Sequence, residues 1–200
     1  MFNQKKNPMG AASSTQKLYS IHALPSGREF VGTIVIGRGN YQFTFAPISA
    51  AAVNGKLALT GAVKVKSPVG QQRLADGVTA TLLAMQGSIT GPPPMPRQFS
   101  ESLKPPLPAP SGSLPLTDWT GPTGSVAVIY LKLSPLDGRA LGVPADLTAV
   151  QLNARLYATS ETERDLHWLY SALVQAMHGE QPNEQLTADY LGAINQILKS

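Results

Sequence analysis

The chain has no cysteine in its 200 residues. That excludes disulfides, thiol nucleophiles and cysteine-bound metals together, and it leaves the compartment open. Charged residues are scarce, 14% against ~25% in an ordinary soluble domain. The 42% of apolar residues is nonetheless enough to build a core. No stretch reaches the ~18 consecutive apolar residues of a helical membrane span, so none is predicted. Lys5 and Lys6 near the start are followed by polar residues, where a secretory signal needs an apolar run of ~7–15. The chain therefore reads as cytoplasmic, with residues 1–20 a polar mobile tail.

Chemical signatures are also missing. The histidines are His22, His167 and His178. The last two lie three turns apart on one helix, too far to share an ion, and there is no HExxH. The "GRGN" stretch lacks the third glycine of a dinucleotide loop and leads into a strand, whereas phosphate binding needs a helix N-terminus. "GPTGSVAV" lacks the GK[ST] ending of a P-loop, and no GxSxG is present. Asp76-Gly77 and Asp137-Gly138 read as turns, where Asp serves geometry. No catalytic, cofactor-binding or metal-binding residue is assigned, no cofactor is expected, and an enzyme is the least supported class.

Strand patterns dominate what is there. "REFVGTIVIGRGNYQFTFAP" reads as a hairpin around residues 37–40, with Phe30, Ile34 and Ile36 on one parity and Tyr41, Phe43 and Phe45 on the return. Asn54-Gly55 is a strong hairpin signal because both positions tolerate positive φ. After it Leu57, Leu59, Val63 and Val65 point one way and Lys56, Thr60, Lys64 and Lys66 the other. "LADGVTATLLAMQG" supplies a further strand after the Asp76-Gly77 turn. "SVAVIYLKL" is apolar on both parities and predicts a central strand covered on both faces. "ADLTAVQLNARLYATS" alternates again.

The period then changes. Leu166, Leu169, Tyr170, Leu173 and Met177 form the stripe of an amphipathic helix. Ser160 to Glu163 reads as its capping box, and Gly179 and Pro182 as its stop. A second helix begins at Asn183 or at Thr187, with Asn183 preferred, and carries Leu186, Tyr190, Ile194, Ile197 and Leu198.

Between the two strand groups lies "GPPPMPRQFSESLKPPLPAP", with eight of the chain's 17 prolines. Two strands after it cannot bury their own faces; about three are needed. They are expected to join the earlier sheet, which makes residues 91–115 an excursion from one domain spanning 21–200. The predicted class is α+β: a mainly antiparallel β-rich domain, sandwich or partly open barrel, with C-terminal helices at about 160–178 and 184–199.

Charge is uneven. Residues 1–75 hold nine basic residues and one acid, and residues 156–200 two basic and six acidic. Arg38, Lys56, Lys64 and Lys66 are candidate contacts for an anion or partner, although lysines also serve simply to keep a strand face soluble. Trp168, off the helix stripe, and Tyr170 are candidate interface residues. The acidic helices are expected to dock on a basic β face, within one chain or between copies. The leading expectation is a non-enzymatic structural or protein-interaction module, working with a protein partner or as a homo-oligomer. The alternatives are a binder of small apolar ligands and a polyanion or nucleic-acid binder using the basic face.

Limited proteolysis is expected to cut near Arg97 or Lys104 and leave fragments that stay associated. Two fragments that separate and each melt cooperatively would show a linker between domains instead.

Overall fold

A computed structural model of the chain describes residues 17–87, 127–156, 160–178 and 182–200. Seven strands follow one another: β1 (Tyr19–Ser26), β2 (Glu29–Ile36), β3 (Gly39–Val53), β4 (Lys56–Lys66), β5 (Gln72–Gly87), β6 (Ala127–Leu133) and β7 (Val150–Leu156). Helices α1 (Glu161–His178) and α2 (Glu184–Lys199) come after them. Each strand pairs antiparallel with the next, and β7 returns to pair in parallel with β1, closing a barrel. The β-rich α+β class expected from sequence is present, and the ring is closed rather than partly open. The expected excursion at 91–115 lies outside the described residues, as does Gly179. β6 and β7 hydrogen-bond into the same sheet as the strands that precede it. No helix among the described residues is long and apolar enough to cross a membrane.

Local chemistry makes the turns. Asn54 and Gly55 both have positive φ, 50° and 70°, as a two-residue type I′ hairpin requires. Asp76-Gly77, expected to be a turn, instead lies within β5. Gly61 pairs with Val78 and Val63 with Ala75, so two residues of β5 oppose one of β4. Gly77 takes φ 68° there. This is a β-bulge with glycine in the left-handed region, and it bends the strand without ending it. A second correction concerns the start of the chain. Tyr19 and Ser20, read as tail, open β1, the strand that closes the ring.

Alternation fills the inside. Ile21, Phe30, Phe43, Phe45, Leu59 and Leu131 are all fully buried and belong to one continuous core. The apolar β6 has Ile129, Leu131 and Leu133 in that core, but Val128 and Tyr130 on its other face are only half buried. The expectation of full cover on both sides does not hold. A barrel has one wet face, and Tyr130 meets it by donating its hydroxyl hydrogen to Gln86 Oε1 at 2.9 Å.

The two mouths are closed differently. At the lower end, residues 134–149 turn Leu136, Leu141, Val143 and Leu147 into the core, with Leu136 and Leu147 bridged. A Cβ on Gly138 would run into the carbonyl oxygen of Ala145, so this tight plug needs glycine there. At the upper end, where β1, β3, β5 and β7 finish, stand the helices. Ser160 Oγ accepts from the N–H of Glu163 at 3.2 Å, as the capping motif anticipated. Asn183 caps α2 by accepting from Leu186 N–H at 3.0 Å.

β3 outruns β2: their pairing ends at Phe30 and Phe45, while β3 continues to Val53. That leaves backbone groups facing no strand. Asn195 of α2 takes up those of Ala50. Its Oδ1 accepts from Ala50 N–H at 2.7 Å and its Nδ2 donates to Ala50 carbonyl at 2.9 Å. The side-chain amide thus stands in for a neighbouring strand and covers an edge.

Ile129→Ala is expected to cost ~2–5 kcal/mol, as a buried large-to-small change does. Lys64→Ala should stay within about 0.5 kcal/mol. Denaturant melts of both variants check this, and equal losses would contradict the inside–outside assignment of the strands.

Candidate functional site

The four candidate basic residues do not form one patch. Lys64 is engaged: its Nζ lies 2.9 Å from Glu29 Oε1, an ion pair reaching across β3. Both side chains are over a third exposed, so the pair adds little stability, but it cancels the local charge. Lys56 begins β4 at the upper hairpin and Lys66 ends it at the lower mouth. Arg38 lies in the turn between β2 and β3 at that same lower mouth. Only Arg38 and Lys66 share an end of the barrel.

Trp168 and Tyr170 are not at the surface. Trp168, a candidate interface residue because it falls off the stripe, is 1% exposed, and Tyr170 is fully buried. The cause is that α1 packs on all sides. Trp168 meets the ring of Tyr190 from α2 edge-on at 5.9 Å. Leu166, Leu169 and Leu173 join the core shared with the barrel interior.

The polar side of α1 is therefore buried too: Glu163, Asp165, His167 and Ser171 all lie inside. Glu163 Oε1 accepts from the N–H of Gly27, in the β1–β2 turn, at 2.6 Å. The acid-rich helix thus docks on backbone at this point, not on a lysine. Glu163, His167 and Ser171 follow one another at i, i+4 and i+8, but with their side chains enclosed they offer a substrate no approach. Nδ1 of His167, Nε1 of Trp168 and the Tyr170 hydroxyl have no hydrogen-bond partner among the described residues. Burial pushes the His167 imidazole down to about 4, against a smaller opposing pull from Glu163, and raises the Tyr170 phenol above its usual range. Burial and Asp189 raise Tyr190 to about 12.

An open cleft of about 750 Å³ lies along the lower plug, between Pro135 and Thr148. Its acids are turned onto their own loop. Asp137 Oδ1 accepts from the N–H groups of Arg139 and Ala140, and Asp146 Oδ1 from that of Thr148. Hydrogen bonds from Thr148 hold the Asp146 carboxyl below its ordinary range. Among the described residues no group of three His, Asp or Glu side chains is placed to hold a metal ion.

The outer face of β6, β7 and β1 is the surface that sequence reasoning missed. Register aligns its outward residues in rows. Val128 pairs with Arg155, Tyr130 with Asn153 and Lys132 with Gln151. Across the parallel seam Asn153 stands beside His22 and Gln151 beside Ser20. Gln151 Nε2 donates to Asn153 Oδ1 at 2.7 Å, tying two rows together. Arg155, Lys132 and His22 are exposed, and no carboxylate stands on these strands. The parity of each strand was readable, but the β1–β7 seam that makes one surface of them was not.

No family model matches the chain, and no curated protein or solved structure was found to be significantly similar to it.

Stability should fall on acidification because of His167. Its folded-state value, about 4, is below the ordinary 6.5. Between these values the unfolded chain binds the proton and the folded chain does not, so stability rises with pH across this window. The contribution is absent from the slope above about 6.5 and reaches ~3 kcal/mol of loss by about pH 4. Urea melts from pH 7 to 4 check it: His167→Gln should flatten the slope, and an unchanged slope would exonerate this histidine.

Proposed function

We propose that the chain is a non-enzymatic module that works by binding a macromolecular partner on the outside of its barrel. What carries the reading is the closure of the molecule by its own residues. Apolar side chains occupy the barrel interior, residues 134–149 turn leucines into one mouth, and the helices stand at the other. The polar groups of α1 that resemble a reactive set are enclosed. Recognition is left to the outer face.

The small-ligand alternative has less support. An eight-stranded barrel is just wide enough for its side chains or one small ligand; a seven-stranded ring is narrower, and this one carries Phe30, Phe43 and Phe45 inside. The polyanion alternative draws support from charge. The described strands bear Lys56, Lys64, Lys66, Arg73, Lys132 and Arg155 against Glu29 and Asp76. Glu29 is already neutralised by Lys64.

Titration with Nile red, a neutral apolar probe, separates inside from outside. No saturable binding to the native chain is expected. Saturable one-to-one binding in the micromolar range would indicate an interior ligand site and overturn the surface reading.

A further inference from the structure

We propose that the outer face of β6, β7 and β1 binds single-stranded nucleic acid; this rests on the surface-binding reading and names its partner. Arg155 and Lys132 stand two rows apart on adjacent strands, with Tyr130 and Asn153 in the row between them. Rows on one face of a strand repeat every ~7 Å, close to the spacing of phosphates along an extended single strand. The two cations are exposed and no acid shares their strands. Arg73, by comparison, shares β5 with Asp76, and Lys64, two residues from Lys66 on β4, is tied to Glu29.

The groups between the cations suit bases rather than a bare polyanion. Tyr130 is half exposed on the face, and its hydroxyl is held by Gln86 Oε1 at 2.9 Å, which steadies the ring. An aromatic ring held on a sheet surface is a stacking partner for an unpaired base, and stacking tolerates any sequence. Asn153, Gln151 and His22 beside it present donors and acceptors for base edges. A duplex keeps its base edges in grooves that are entered by a helix, ribbon or arm, and the outer wall of a closed barrel projects none of these from β6, β7 and β1. A sulfated polysaccharide or an anionic lipid surface would use the two cations and leave the tyrosine and amides without a role.

Fluorescence anisotropy of a labelled oligothymidylate, with the full chain at several salt concentrations, tests the proposal. Arg155→Ala with Lys132→Ala should weaken binding and flatten the slope of log affinity against log salt by ~0.7 per cation removed. Tyr130→Ala should weaken binding about tenfold with the salt slope unchanged, and Tyr130→Phe, which keeps the ring and loses only the Gln86 bond, should weaken it less. All these positions face outward, and a thermal melt confirms that each variant is folded. Arg38→Ala with Lys56→Ala, away from this face, should bind as the parent does. Absence of salt-dependent binding overturns the proposal. So does equal or tighter binding of a duplex or of heparin, or a face variant no weaker than the Arg38 and Lys56 control. Such a failure together with no uptake of Nile red moves the partner to another class and leaves the surface reading standing; saturable Nile red uptake removes that reading itself.

Discussion

The closure of β7 onto β1 is the constraint on which the rest depends. Strands joined one after another alternate in direction, so an odd number ends running the same way as it began. Seven strands can therefore close only through one parallel pair, here Tyr19 to Ala23 against Val150 to Ala154. A sheet left open there would expose two edges, each a row of unpaired backbone groups. The closing strand begins with a residue that looks like the end of a polar tail, and Lys17 lies over the ring of Tyr19 just before it, 4.9 Å from its centroid.

A ring without edges still has two mouths, and an apolar interior must be kept from water at both. The lower plug comes from the long connection between β6 and β7, so the strands it joins also carry the seal. The upper end takes the helices, because β7 finishes there and the chain continues directly into α1. That placement explains the enclosure of Glu163, Asp165, His167 and Ser171 on a helix whose sequence looks half solvated. A buried polar group costs ~1–3 kcal/mol when left unpaired, so His167 Nδ1, Trp168 Nε1 and the Tyr170 hydroxyl, without partners among the described residues, make α1 costly to enclose. The two-point grip of Asn195 on Ala50 helps hold the helical pair in place.

How much was legible divides along local and non-local lines. The Asn54-Gly55 hairpin, the parity of Leu57 to Val65 and the caps at Ser160 and Asn183 depend on residues within a few positions, and each stands as read. Asp76-Gly77 misled because a glycine with positive φ serves a bulge as well as a turn; only the opposing register of Gly61 and Val63 decides between them. β1 was present as an alternation of Ile21 and Ala23 with Ser20 and His22, but Pro25 within it argues against a strand. Sequence left the burial of Trp168 undecided, since helical periodicity reveals the most apolar face and not how many neighbours a helix has. The candidate lysines were placed on the correct face of β4, yet their dispersal and the Lys64–Glu29 pair depend on contacts between strands that sequence spacing does not contain.

Closure also limits how a partner can be recognised. An extended peptide often binds by adding a strand to a free sheet edge. Around most of this ring the backbone groups are committed to neighbouring strands, and where β3 outruns β2 the Asn195 amide occupies Ala50. Main-chain pairing is thus largely removed as a mode of recognition on the described barrel, and side chains must carry it. On a closed barrel those side chains are ordered in rows that cross the strands, so a surface is assembled from residues far apart in sequence. Lys132, Gln151 and Ser20 form one such row, drawn from three strands and completed only at the parallel seam. The interaction that closes the fold is therefore also the one that brings three acid-free strands of the outer face together.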